Sequence, residues 1–90
     1  MNLAWTIELT GDAKKTLRKL DRQVARRITG FLKERVQGSG NPRLLGKALH
    51  ASLDDYWAYR VGDYRLICEI RDDVLLVLVV EIGHRSDVYR

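Results

Sequence analysis

The sequence predicts an α+β fold of order βααβββ, with two N-terminal helices packed on one face of a small, mainly antiparallel sheet. Residues 3 to 9 alternate apolar and polar positions, and residues 13 to 36 repeat apolar positions at helical spacing. Residues 56 to 82 are closely spaced β-formers, broken only at Gly62-Asp63 and Asp72-Asp73. A run of helices beside a run of strands must bury the apolar stripe of one against the apolar face of the other.

The first strand carries Leu3, Trp5, Ile7 and Leu9 on one side and Ala4, Thr6 and Glu8 on the other. Thr10-Gly11-Asp12 offers cap residues, after which Ala13, Leu17 and Leu20 form a stripe and Lys14, Lys15, Arg18 and Lys19 take the remaining surface. Asp21 caps a second helix, with Val24, Ile28, Phe31, Leu32 and Val36 on its apolar side. Arg22, Arg26, Arg27, Lys33 and Arg35 lie off that stripe. The stretch Gly38-Ser39-Gly40-Asn41-Pro42 ends the helix, and residues 43 to 52 show no period, so they read as an irregular connection. Strands are expected over 56 to 61, 64 to 71 and 74 to 82, joined by two tight turns.

Ninety residues with 46% hydrophobic content enclose one core, so the chain reads as a single domain, 1-90, with no room for a deep cofactor chamber. No cofactor is expected. Sixteen basic against twelve acidic residues give a net charge of +4, and the pI near 9.5 points to an anionic partner. The charge is uneven: residues 12 to 35 hold nine Lys or Arg against three acids, and residues 51 to 90 hold five against eight. A single cysteine, Cys68, rules out an intrachain disulfide and a multi-cysteine zinc site; it fits a reducing cytoplasm and reads as core filler. The start lacks a signal-peptide pattern, and the apolar run 74 to 80 is too short to span a bilayer, so a cytoplasmic protein without membrane contact is expected.

A two-residue turn at Gly62-Asp63, with glycine first as type II′ prefers, pairs Val61 with Tyr64 and sets Arg60 opposite Arg65. Trp57, Tyr59, Leu66, Cys68 and Ile70 then face the helices, and the arginines face away. Continuing the register through Asp72-Asp73 sets Val79 opposite Leu66 and Val80 opposite Arg65, with Arg85 at the rim of the open face and Tyr89 beyond it. Opposed like charges cost about 0.2 to 1 kcal/mol, so folding gives no reason for this pair, whereas a bound phosphate or carboxylate would. The competing reading is that both arginines are solvated or paired with Glu69, Asp63 or Asp87.

The stretch 56 to 67, containing Val61-Gly62-Asp63-Tyr64-Arg65, and the later Gly83-His84-Arg85 with Val88-Tyr89, resemble the RelE branch of the RelE/ParE toxin superfamily. The element order agrees over the whole chain, and the specific motifs lie in the C-terminal half. The resemblance implies a toxin of a type II toxin-antitoxin system, a ribosome-dependent endoribonuclease that cuts mRNA in the decoding site and inhibits translation. It implies a RelB-like antitoxin as partner, and contact with operator DNA only through the antitoxin complex. Arg65 and Arg85 match the family's phosphate-binding arginines, Tyr89 its catalytic tyrosine, Arg60 a further basic position, and His84 a position commonly Lys or His. Members of the family also carry lysines on the second strand, where this sequence has Tyr56 and Ala58; Lys47 and His50 are the nearest substitutes.

Metal-free RNA cleavage needs a base for the 2′-hydroxyl, cations for the charge on phosphorus and an acid for the departing 5′-oxygen. No clustered Asp, Glu or His set suggests a metal site, and Asp54, Asp55, Asp72 and Asp73 read as turn residues. Arg65 and Arg85 suit the second task, and their charge favours the phenolate of Tyr89 for the first. His84 or Arg85 would help the leaving group, giving a 2′,3′-cyclic phosphate. Lys14, Lys15, Arg18, Lys19, Arg22, Arg26 and Arg27 would grip rRNA phosphates, or form a solvated helix face. Leu76, Leu78, Val80 and Ile82 on the open face would leave an apolar strip for an antitoxin segment. Trp5 and Trp57 read as core by strand parity. The alternatives are a ParE-like inhibitor of DNA gyrase on the same fold, and a non-catalytic basic adaptor.

Overall fold

The computed structural model describes residues 5–49 and 56–84. Both helices start where their cap residues predict. Thr10 accepts a hydrogen bond from the Ala13 amide and opens α1, Gly11–Lys19; Asp21 accepts one from the Gln23 amide and opens α2, Arg22–Gly30. Ala13 and Ile28 are fully buried, and the basic residues between them face solvent. The second helix continues past Gly30 as a π-helical segment, Phe31–Val36, in which the Gln37 amide reaches back five residues to the Leu32 carbonyl at 2.9 Å.

Among the described residues, five strands form one sheet. They are β1 (Thr6–Leu9), β2 (Lys47–Ala48), β3 (Tyr56–Val61), β4 (Tyr64–Arg71) and β5 (Leu76–His84), in spatial order β1-β5-β4-β3-β2. The β1–β5 pairing is parallel, and the other three are antiparallel. The expected α+β architecture is present, with helices on one face. The short strand β2 is the addition. It lies in the connection expected to be irregular, after a 3₁₀ turn at Pro42–Leu45, because Gly46 lets the backbone pass against β3 and bring Lys47 opposite Ala58.

The core lies between the helices and the inner face of β3, β4 and β5, with Tyr59, Leu66, Cys68, Ile70, Val77 and Val79 buried beneath Ile28, Leu32 and Val36. Tyr59 satisfies its buried hydroxyl by donating to the Pro42 carbonyl at 2.8 Å, and its ring meets Phe31 edge-on at 5.5 Å. Trp5 is buried; Trp57 packs against the core and carries the Arg43 guanidinium over its ring at 5.6 Å. Arg43 also forms a two-pronged pair with Asp72, both bonds 2.8 Å, which holds the Asp72 carboxyl below its ordinary value.

The register of β5 differs from expectation in two ways. The β4–β5 connection is not a two-residue turn at Asp72-Asp73 but a 3₁₀ turn, Asp72–Val74, followed by Leu75 in the left-handed region. A bulge then falls at Val80: Ile67 pairs with Glu81 while Cys68 pairs with Val79. The Val80 carbonyl is taken by the Thr10 hydroxyl at 3.2 Å. Before the bulge the expected faces hold, with Val77 and Val79 inward. After it they exchange. Ile82, expected on the open face, is 4% exposed and sits opposite Leu66 in the core; Gly83, not Val80, stands opposite Arg65. Among the described residues no helix is long and apolar enough to cross a membrane.

A Cβ at position 46 would lie 2.6 Å from the Ala58 carbonyl oxygen and 2.8 Å from the Tyr59 ring. Gly46→Ala is therefore expected to lower stability by about 1 to 3 kcal/mol, read as a lower urea midpoint with an unchanged slope. Burial pushes the Cys68 thiol from 9.0 up to about 12 and raises Tyr59 as well. Above the thiol's ordinary value the unfolded chain ionises while the folded one keeps its proton, so stability is present below pH 9 and falls between 9 and 12. Cys68→Ala should make that fall shallower in urea titrations across this range.

Candidate active site on the open face of the sheet

The β3–β4 hairpin turns through Gly62 at φ +60°, with Asp63 outside the left-handed region, as a type II′ turn requires. Val61 pairs with Tyr64, and Arg60 stands directly opposite Arg65. Arg60 is exposed and Arg65 half-buried. On the same face, Lys47 opposes Ala58, one step along β3 from Arg60. These three cations line a cleft of about 350 Å³ whose other walls are Leu44, Leu45, Gly46, Ala58 and Tyr59. Gly83 opposite Arg65 brings no side chain to that position.

Among the described residues, no carboxylate lines this cleft. Glu69, one of the acids that could have neutralised the arginines, bonds Arg71 at 3.1 Å, which holds the Arg71 guanidinium above its ordinary value. The arrangement suits an oxyanion, since planar guanidinium forks and an ammonium around a shallow hollow match phosphate oxygens. Among the described residues no group of three or more His, Cys, Asp or Glu is placed to hold a metal ion.

Other sequence-predicted positions fall elsewhere. His84 follows the bulge at Val80 and lies on the helix side of the sheet, opposite Tyr64, whose ring it meets edge-on at 5.4 Å. There it lines a hollow with Thr16 and Leu20, apart from the Lys47, Arg60 and Arg65 cleft. The basic residues of the helices divide. Lys14, Lys15, Arg18 and Lys19 are exposed on α1, which packs on β5 and β1; neither they nor Arg22 line the cleft or its neighbour. Arg26 and Arg27 instead line an adjoining hollow of about 530 Å³ together with Arg35 and Arg60. Arg85, Tyr89, His50, Asp54, Asp55, Asp87 and Leu3 lie outside the described residues.

Gly46, Leu45 and Arg35 line these hollows without being marked as site residues by the sequence pattern. A glycine inside an aperiodic connection was the available signal for a close backbone approach. Arg35 carried no such signal, because its position depends on the π-helical widening.

Comparison with known proteins bears on the family and the fold. Residues 7–89 match the family described as ParE toxin of type II toxin-antitoxin system, parDE. The chain is 30% identical over 88 residues to Toxin RelG of Mycobacterium tuberculosis, covering 98% of this chain and 99% of that one. It is 31% identical over 84 residues to Toxin RelE of the same organism, covering 93% and 84%. The structure superposes on a chain of the M. tuberculosis RelBE2 toxin-antitoxin complex with a TM-score of 0.82 at 26% identity, covering 92% of this chain and 100% of that one. It superposes on a mutant E. coli toxin RelE in the free state at 0.78 and 25% identity, covering 96% and 88%. Fold and sequence together define a toxin of a type II toxin-antitoxin system. The chain belongs to the RelE/ParE toxin superfamily.

Because Arg60 and Arg65 repel across the hairpin, Arg60→Thr is expected to raise the stability of the ligand-free protein by about 0.2 to 1 kcal/mol. Urea unfolding at low salt checks this, and the gain should shrink as salt rises.

Proposed function

We propose that this toxin is a metal-independent mRNA endoribonuclease that acts on the ribosome, and that the clustering of Lys47, Arg60 and Arg65 in one open-face cleft is the observation carrying that reading. Arg65, with Arg85, binds the scissile phosphate and stabilises the phosphorane. Tyr89 removes the proton from the ribose 2′-hydroxyl, whose oxygen attacks phosphorus. As the bond from phosphorus to the 5′-oxygen breaks, that oxygen takes a proton and leaves a 2′,3′-cyclic phosphate. The position of His84 beside Tyr64 argues against it as this donor. Lys47 takes the role, since it lines the same cleft as Arg65.

A shallow, open cleft has little means of aligning the 2′-oxygen in line with the leaving group, so the ribosome supplies that alignment. A RelB-like antitoxin neutralises the protein, as the M. tuberculosis relative's complex suggests. Its segment covers the half-buried Leu76, Leu78 and Val80 of β5. Operator DNA is met only through that complex, and the site of action is the cytoplasm.

One observation favours a second reading: the matching family is described by its ParE toxin, so inhibition of DNA gyrase on this fold is the alternative. Adding the purified protein to a translation reaction and mapping mRNA 5′ ends separates the two. Cleavage at discrete sites is expected, reduced about 100-fold or more in Arg65→Ala and in Tyr89→Phe. Intact mRNA together with blocked gyrase supercoiling would establish the alternative.

A further inference from the structure

The hollow beside the candidate active site contains more unneutralised positive charge than the fold needs. Arg26 and Arg27 reach it from α2, Arg35 from the π-helical segment and Arg60 from β3, against one carboxylate, Glu34. None of these arginines forms an ion pair with another described residue. Its apolar wall is Phe31, Leu45 and Val61, with the Arg35 guanidinium over the Phe31 ring at 5.9 Å.

The helix geometry assembles this group. In a regular α-helix, residues four apart drift steadily round the axis. The widened turn that begins at Phe31 counters the drift, so that Arg27, Phe31 and Arg35 line one hollow. Arg27 extends to the hairpin tip, where a Cβ on Gly62 would meet its guanidinium nitrogen at 3.4 Å. The hollow shares Arg60 and Leu45 with the Lys47, Arg60 and Arg65 cleft, so the two adjoin at those residues. Cations spaced along adjoining hollows with an aromatic and apolar wall match a single nucleic-acid strand, whose phosphates repeat and whose bases stack.

We propose that Arg26, Arg27, Arg35 and Arg60 form a second RNA subsite, which takes the phosphodiester and base adjoining the nucleotide held at Arg65. This rests on the RNA-cleaving reading above. The phosphodiester chemistry is shared by the cut strand and by rRNA, and the sharing of Arg60 favours the cut strand.

The test measures fluorescence anisotropy of the full chain with labelled 2′-O-methyl oligoribonucleotides, which cannot be cleaved, of two and of five nucleotides. The longer strand is expected to bind about 10-fold tighter at low salt. In Arg26→Ala/Arg35→Ala that gain should largely vanish while dinucleotide affinity stays within about two-fold, and the slope against log salt should fall by about 0.7 for each phosphate no longer held. Arg26→Lys/Arg35→Lys should restore most of the gain, which keeps the test decisive if the alanine variant unfolds. A full length-dependent gain in a folded alanine variant, or no gain in the unmodified protein, overturns the proposal. So does loss of sedimentation with vacant ribosomes while the oligonucleotide gain persists, because the subsite would then belong to rRNA. Intact mRNA in the translation assay with the length gain in place overturns the nuclease reading alone and supports the subsite.

Discussion

A two-residue turn governs the open face of this protein. Glycine at position 62 takes a positive φ without the penalty a side chain would carry, and the short loop leaves β3 and β4 a single register. That register sends Trp57, Tyr59, Leu66 and Cys68 toward the helices and sends Arg60 and Arg65 away from them. A one-residue slip would reverse both sets at once, burying guanidinium groups and exposing the core. Burial of the apolar set therefore also maintains the juxtaposition of the two arginines, which have no attraction of their own.

The second determinant lies at the other side of β4. The bulge at Val80 exchanges the faces of everything after it, so Ile82 enters the core and Gly83 comes opposite Arg65. The Thr10 hydroxyl occupies the Val80 carbonyl while the same oxygen caps α1. One threonine thus starts a helix and holds the irregularity that determines which β5 side chains reach the arginine face.

Much of the fold was legible because its signals are local. Thr10 and Asp21 are cap residues at the observed helix starts, and Gly62-Asp63 determined the hairpin pairing residue by residue. What escaped depends on contacts distant in sequence. The two-residue strand at Lys47 exists because Gly46 fits against β3, and a pair of residues cannot display a period. The β4–β5 connection was misjudged because Asp72-Asp73 has the composition of a tight turn, whereas the chain uses it to begin a 3₁₀ turn with Asp72 bound to Arg43. The bulge at Val80 alone exchanged the face of Ile82. In the candidate site, the pairing of Arg60 with Arg65 on the open face was legible from the turn, whereas Lys47 was indicated only as a substitute for the family's lysines, without a place on that face. The grouping of Arg35 with Arg27 was not, since a π-helical turn has no residue signature comparable to a glycine or a cap.

The bond between Thr10 and Val80 joins residues 70 positions apart, and the parallel pairing of β1 with β5 spans a similar distance. Contacts of such separation are entropically costly to close and are characteristic of slow-folding topologies. The hairpins of β3, β4 and β5 close over short loops, whereas β1 pairs, among the described strands, with β5 alone. Closing β1 onto β5 therefore carries the largest loop entropy of any pairing among the described strands, and α1, which packs on both, has its full support only when that pairing is made.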